Sequence, residues 1–147
     1  MNPTLLNDVA IDRVLAAVAA GQAASAGDIL DMAGYEGVMF IAMLGDVTDT
    51  SVITLQAQQN DANQAGGMAT LAGSATFTAG AADADDDMLA IDVYRPTKRY
   101  VRPLLTSATA NAVKNGVIAI RYGGRNKPVV QGVTVLDSAT LIEPDEA

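Results

Sequence analysis

The chain has no cysteine, no histidine and no tryptophan, and aromatic residues make up only 4% of it. Without thiols there is no disulfide framework and no Cys nucleophile, and without imidazole there is no His metal ligand and no side chain that titrates unaided near neutrality. The missing cysteines also remove any indication of redox compartment. A hydroxyl nucleophile would depend on a carboxylate or on Lys98, Lys114 or Lys127, the three lysines. Walker loop, Gly-x-Gly-x-x-Gly and Gly-x-Ser-x-Gly patterns are all absent. These gaps argue against an enzyme and against a bound cofactor. Long apolar runs are missing too. The longest, residues 14–20 and 38–44, have seven residues each, where a spanning helix needs about 20. The first ten residues carry no positive side chain and do not read as a signal peptide. A soluble chain with no membrane partner is the expectation.

What is present fits one domain: 147 residues, half of them apolar, with alanine supplying 27. A core of small aliphatic side chains suits thin layers of sheet. The formal net charge is −8, which on average opposes nucleic acid and anionic membranes. The average hides a division. Residues 93–136 hold eight of the nine basic side chains and none of the seventeen acidic ones. A surface with a positive and a negative side is expected.

Turn residues punctuate the chain at strand-length intervals. Residues 38–44 are apolar on both faces and read as a buried strand. Residues 51–58 alternate, with Ile53, Leu55 and Ala57 on one face. Residues 60–67 read as a loop, 74–78 as a short strand and 79–87 as an acidic loop. Residues 88–94 alternate again, turning Leu89, Ile91 and Val93 inward, until Arg95-Pro96 breaks the strand. Residues 98–106 resume, and Pro103 suggests an edge or a bulge. After a turn at Asn115-Gly116, residues 117–122 put Ile118, Ile120 and Tyr122 on one face, and residues 128–136 supply a last, Val-rich strand. Residues 12–24 stand evenly between helix, favoured by alanine, and strand, favoured by valine. The pattern predicts an all-β antiparallel sandwich, jelly-roll-like, in a single domain. Residues 1–30 form an N-terminal arm or first strand, 31–137 the sandwich and 138–147 an acidic tail.

Asp83, Asp85 and Asp87 occupy positions 1, 3 and 5 of a calcium-loop pattern, but Met88 and Tyr94 stand where Gly and Glu are required. A solvated acidic loop is the better reading, and no metal is expected. The strongest constellation is residues 94–103, where Tyr94, Arg95, Lys98, Arg99, Tyr100 and Arg102 collect four cations and two tyrosines at an interrupted strand. Such residues stack bases and neutralise phosphates, or meet the carboxylates of a protein neighbour, or simply snorkel over a core. The large acidic complement of the same chain favours the protein interface, and Arg121 and Arg125 extend the candidate set. Reversing Arg99 or Arg102 to Glu is expected to weaken assembly by ~2–5 kcal/mol per buried pair, with Lys114→Glu harmless.

The run Asp92-Val93-Tyr94-Arg95-Pro96-Thr97-Lys98-Arg99-Tyr100-Val101-Arg102-Pro103, with residues 108–113, residues 116–122 and Asp31-Met32-Ala33-Gly34-Tyr35 upstream, resembles small structural proteins of tailed-bacteriophage head gene clusters. The resemblance is specific over residues 92–122 and loose elsewhere within residues 30–130. It implies a capsid decoration, or cement, protein: a β-rich domain on the outer face of the shell, often a homotrimer. The implied partners are the major capsid protein and further copies of the chain, and the implied location is the virion. Tail and head-tail connector components share such clusters and are the alternative; a nucleic-acid-binding module is the more distant one. The resemblance also tips residues 12–24 toward an extended arm or strand.

Overall fold

Short alternating segments bounded by glycine, proline and aspartate settle into strands. The computed structural model describes residues 4–142 and 145. Over these the chain forms one helical turn, α1 (Leu5–Asp8), then β1 (Ala10–Leu15), β2 (Val18–Gly21), β3 (Ala24–Ala26), β4 (Leu30–Asp31), β5 (Gly37–Val47), β6 (Val52–Asn60), β7 (Ala69–Thr70), β8 (Ala75–Thr78), β9 (Met88–Tyr94), β10 (Tyr100–Ala108) and β11 (Ala112–Tyr122). Two antiparallel sheets pack as a sandwich. Sheet A runs β1-β11-β5-β9, with β2 also on β11; sheet B runs β3-β10-β6-β7, with β4 also on β10 and β8 on β6. From β8 onward each strand crosses to the other sheet, so neither layer is a local unit.

Alternation fills the core. Val38, Phe40, Ala42 and Leu44 of β5 and Val117 and Ala119 of β11 face Ile53, Leu55 and Ala57 of β6 and Val101 and Leu105 of β10, all buried. Phe40 stands beside Ala119 in register, a large ring next to a small side chain, which is how an aromatic-poor core fills without voids. Residues 51–58 and 88–94 adopt the strands and inward faces their period predicts.

Residues 12–24, which composition leaves between helix and strand and the resemblance tips toward strand, are extended: the end of β1, β2 and the start of β3 lie there, and the Asp12–Ala119 and Val18–Lys114 pairings tie the first two to β11, sheet contacts overriding the helix propensity of alanine. Other elements differ from the sequence expectation. Residues 38–44 are fully buried on one face only, since Met39, Ile41 and Met43 are half-buried on the outside of sheet A. Asn115-Gly116 is no turn. β11 runs through it, and Gly116, at φ 115°, absorbs a register shift against β5 as a bulge. A side chain there would meet the Leu15 carbonyl oxygen at 2.6 Å.

Pro103 lies in the interior of sheet B, between β6 and the β3–β4 side. It is tolerated because β4 pairs residues 100–101 and β3 pairs residues 104–106, leaving Pro103 opposite the break. Its carbonyl accepts from Gly27 N at 2.9 Å on that side, so its missing donor faces the break too.

Residues 128–136 form no strand. They run beside β1 in the same direction as a strap: Val129 N donates to Asn7 O, Ile11 N to Gln131 Oε1, Gly132 N to Ile11 O and Arg13 N to Thr134 Oγ1. Side-chain acceptors thus close the β1 edge where a strand would have offered carbonyls. Lys114, expected to be a passive surface cation, is 1% exposed. Its Nζ donates to Ala23 O at 2.7 Å and Ser25 Oγ at 3.0 Å, fastening β11 of sheet A to β3 of sheet B.

Candidate functional site: a cation-lined hollow

β9 and β10 are joined by the turn at residues 95–99, which Arg95 enters in the left-handed region at φ 50°, a conformation other residues resist. The buried Gln59 amide holds this turn, donating to Thr97 Oγ1 at 2.8 Å and accepting from Lys98 N at 3.3 Å. Opposite lies the loop at residues 32–36. Asp31 Oδ1 accepts from Ala33 N at 2.9 Å and Gly34, at φ 85°, completes the reversal. Backbone bonds sew the parts together: Met32 N to Arg99 O, Arg95 N to Glu36 O, Glu36 N to Tyr122 O and Arg125 N to Gly34 O. Gly37 is required beneath, because the Tyr122 ring occupies the space a side chain would take.

These two segments, with Arg125 from the stretch after β11, line an open hollow of about 560 Å³ bordered by Arg95, Lys98, Arg99 and Arg125, with Glu36 as its single acidic lining residue. Tyr94 and Arg95 border a second hollow of about 460 Å³ beside it, reaching Leu71 and Gln59. The Tyr94 ring lies under the Arg95 guanidinium at 5.1 Å and the Tyr100 ring under Arg99 at 5.3 Å. Arg102 stands apart on the outer face of sheet B, its Nε donating to Gln58 Oε1 at 2.8 Å.

Arg121 is not at the surface. Its side chain, 15% exposed, pairs with Asp12 at 2.9 Å, donates to Asp31 O at 3.0 Å and lies over the Tyr35 ring at 4.7 Å. It supports the 31–35 loop from below. Tyr122 donates to Asp92 Oδ1, and burial first, then that bond, raises its phenol well above the ordinary value.

The basic segment does not form a uniformly positive face. Arg99 makes a two-bond clamp on Asp31, Lys98 meets Asp61 at 3.2 Å and Arg95 meets Glu36 at 3.7 Å. The Arg99 hydrogen bond, opposed by partial burial and aided by the Ala33 N–H, lowers the Asp31 carboxyl to about 2. Arg125 makes no ion pair among the described residues. The negative pole is real: Asp46, Asp49 and Asp83 through Asp87 gather at the far end of β5 and β9. Asp83 accepts from Gly80 N and Asp85 from Val47 N, so part of that cluster shapes its own turn.

The cations of this site were readable in the sequence. Their partners Asp31, Glu36 and Asp61 were not, since each lies tens of residues away and nothing local marks it. The one local sign is the Asp31-x-Ala33-Gly34 turn chemistry.

No protein-family model matches this chain, and no curated protein matches it. A solved structure, "Structure of Eiger TNF from S. frugiperda", is similar at TM-score 0.37 and 7% identity, covering 86% of this chain and 100% of that one.

Proposed function

We propose that this chain is a structural assembly protein whose cation-lined hollow docks carboxylates of a neighbouring subunit, and that the assembly is a phage capsid bearing it on the outer surface as a decoration protein. One observation carries the docking reading: Arg95, Lys98 and Arg99 of a single turn and Arg125 from the segment after β11 line one hollow whose walls are held by backbone hydrogen bonds. Arg99 and Arg95 are engaged by Asp31 and Glu36, so the guanidinium offered for bidentate contact with a neighbour's carboxylate is that of Arg125, which makes no ion pair among the described residues. The resemblance of residues 92–122 to phage-head structural proteins supports the choice of the major capsid protein as partner, with homotrimers at its surface. Tail or connector placement would use the same surface.

Arg125 is the residue to test, because reversing Arg99 would break its own clamp on Asp31 and report on stability instead. In a co-sedimentation experiment with matching capsids, Arg125→Glu is expected to lose binding by about tenfold or more while retaining its melting temperature. Undiminished binding would overturn the assignment of the hollow. Tight, steeply salt-dependent binding of single-stranded DNA by the wild type, without capsid binding, would transfer the site to nucleic acid.

A further inference from the structure

The two sheets differ in what they turn outward. On sheet B the outward rows are Thr54 beside Thr106, Gln56 beside Leu104 and Gln58 beside Arg102, a mostly polar surface. On sheet A the register places Ile11, Ile120 and Met39 side by side, then Ile118 beside Ile41, then Met43 beside Met88. Their alternates Phe40, Ala42, Val117 and Ala119 are the core residues, so this apolar field faces away from the core. Only Arg13 and Asp92 interrupt it with charge. Asp92 is taken by Tyr122, whereas the Arg13 guanidinium reaches only the Asn115 carbonyl, at 3.4 Å, and meets no carboxylate among the described residues.

The same chain carries a second uncovered apolar feature, and the two meet. The strap ends at Thr134 and Val135, which line a hollow of about 420 Å³ with Ile11, Met43 and Ile118 at the rim of the field. Beyond it Leu136, Leu141 and Ile142 are 98%, 74% and 60% exposed, with Asp137 among them. In its own chain these three side chains are left largely to solvent. Within the field Met88 is 65% exposed and the other apolar side chains are half-buried; apolar side chains clustered on an outer face in this way suit a docking site.

We infer that the outer face of sheet A is a self-association surface, and that its occupant is the C-terminal segment, residues 136–142, of a second copy, whose Asp137 meets Arg13. Seven extended residues reach about 23 Å, enough to cross four strands spaced about 4.8 Å apart. Reciprocal exchange closes a two-fold pair, and sequential exchange closes a ring. The surface uses no residue of the cation-lined hollow, so the two readings fail separately.

The methionines supply the test. Met39, Met43 and Met88 stand on the field, while Met32 is buried in the core. Full-length protein with labelled methionine methyls should sediment above 15.1 kDa and shift its three field methyls on dilution, with Met32 unmoved. Removing residues 136–147, or making Ile41→Glu, should weaken association by about tenfold or more. Adding residues 136–147 as a separate peptide to the truncated protein should move the field methyls again. A full-length monomer at every concentration overturns the inference, including one whose field methyls respond to truncation, since its own tail is then the cover. Oligomers that survive truncation overturn it as well, and so does a peptide that moves no field methyl. Should Ile41→Glu fail to fold, the truncation and peptide arms decide.

Discussion

Arg99 holds both carboxylate oxygens of Asp31 at 2.8 Å, joining residues 68 positions apart across the β4–β10 pairing. The clamp sets the corner from which the 32–36 loop departs. It has a pH signature. Asp31 titrates at about 2 in the folded chain against an ordinary 3.8, so an unfolded chain takes up the proton first as pH falls. The clamp's stabilisation is therefore full above about pH 4 and is lost between about pH 4 and pH 2. Water screens the pair and keeps the effect small. Urea midpoints measured across that window should fall more steeply for the wild type than for Asp31→Asn. Parallel curves would remove the clamp from the stability of the fold.

Lys114 gives a slope of the same sign at the other end of the pH scale. Burial lowers its ammonium below the ordinary 10.5, so between the folded and unfolded values the unfolded chain binds more protons and stability rises with pH. Lys114→Met, which has no charge to desolvate, should lose that rise while leaving the Ala23 carbonyl short of a donor. Lys114→Glu should cost about 3–5 kcal/mol, because it buries an unpaired carboxylate beside a carbonyl. Denaturation at neutral and at alkaline pH reads both effects.

Asp12 and Arg121 test whether the buried pair is structural. Arg121→Met alone strands the Asp12 carboxylate and should cost about 3–5 kcal/mol, and adding Asp12→Asn should recover part of the loss. Additive costs in the double-mutant cycle would mean that the pair acts as two independent side chains.

Gly132 passes so close to Asp12 that any side chain at 132 would overlap its carboxylate, and Arg121 holds that carboxylate in place. Gly132→Ala should cost about 1–3 kcal/mol and release the strap, seen as faster hydrogen exchange at the Ile11 and Arg13 amides. Unchanged exchange at those two amides would show that the strap tolerates the displacement.

Period-two alternation made the strands legible wherever one face is polar, as in residues 53–57 and 88–94. It failed to orient β11. Val117 and Ala119 are as apolar as Ile118 and Ile120, and the larger pair reads as the better core, yet the smaller pair is buried because Phe40 already fills the space beside Ala119. Arg121 could be seen as a cation but not as an internal one, since its burial depends on Asp12, 109 residues earlier. The strap escaped notice for a different reason. Val130 and Val133 suggest a strand, but they point to solvent while Gln131 and Thr134 make the bonds. The acidic tail expected at residues 138–147 lies partly outside the described residues.

The strap also decides how the molecule bears load. It runs parallel to β1, and its bonds at Val129, Gln131, Gly132 and Thr134 lie abreast, with Gln131 Nε2 adding two more to Leu6 O and Val9 O. A pull along the strap would shear these bonds together instead of peeling them one by one. Force taken up by the tail would pass into β1 and from there across the β1–β11–β5 ladder, making the whole of sheet A the mechanical anchor of the chain's last residues.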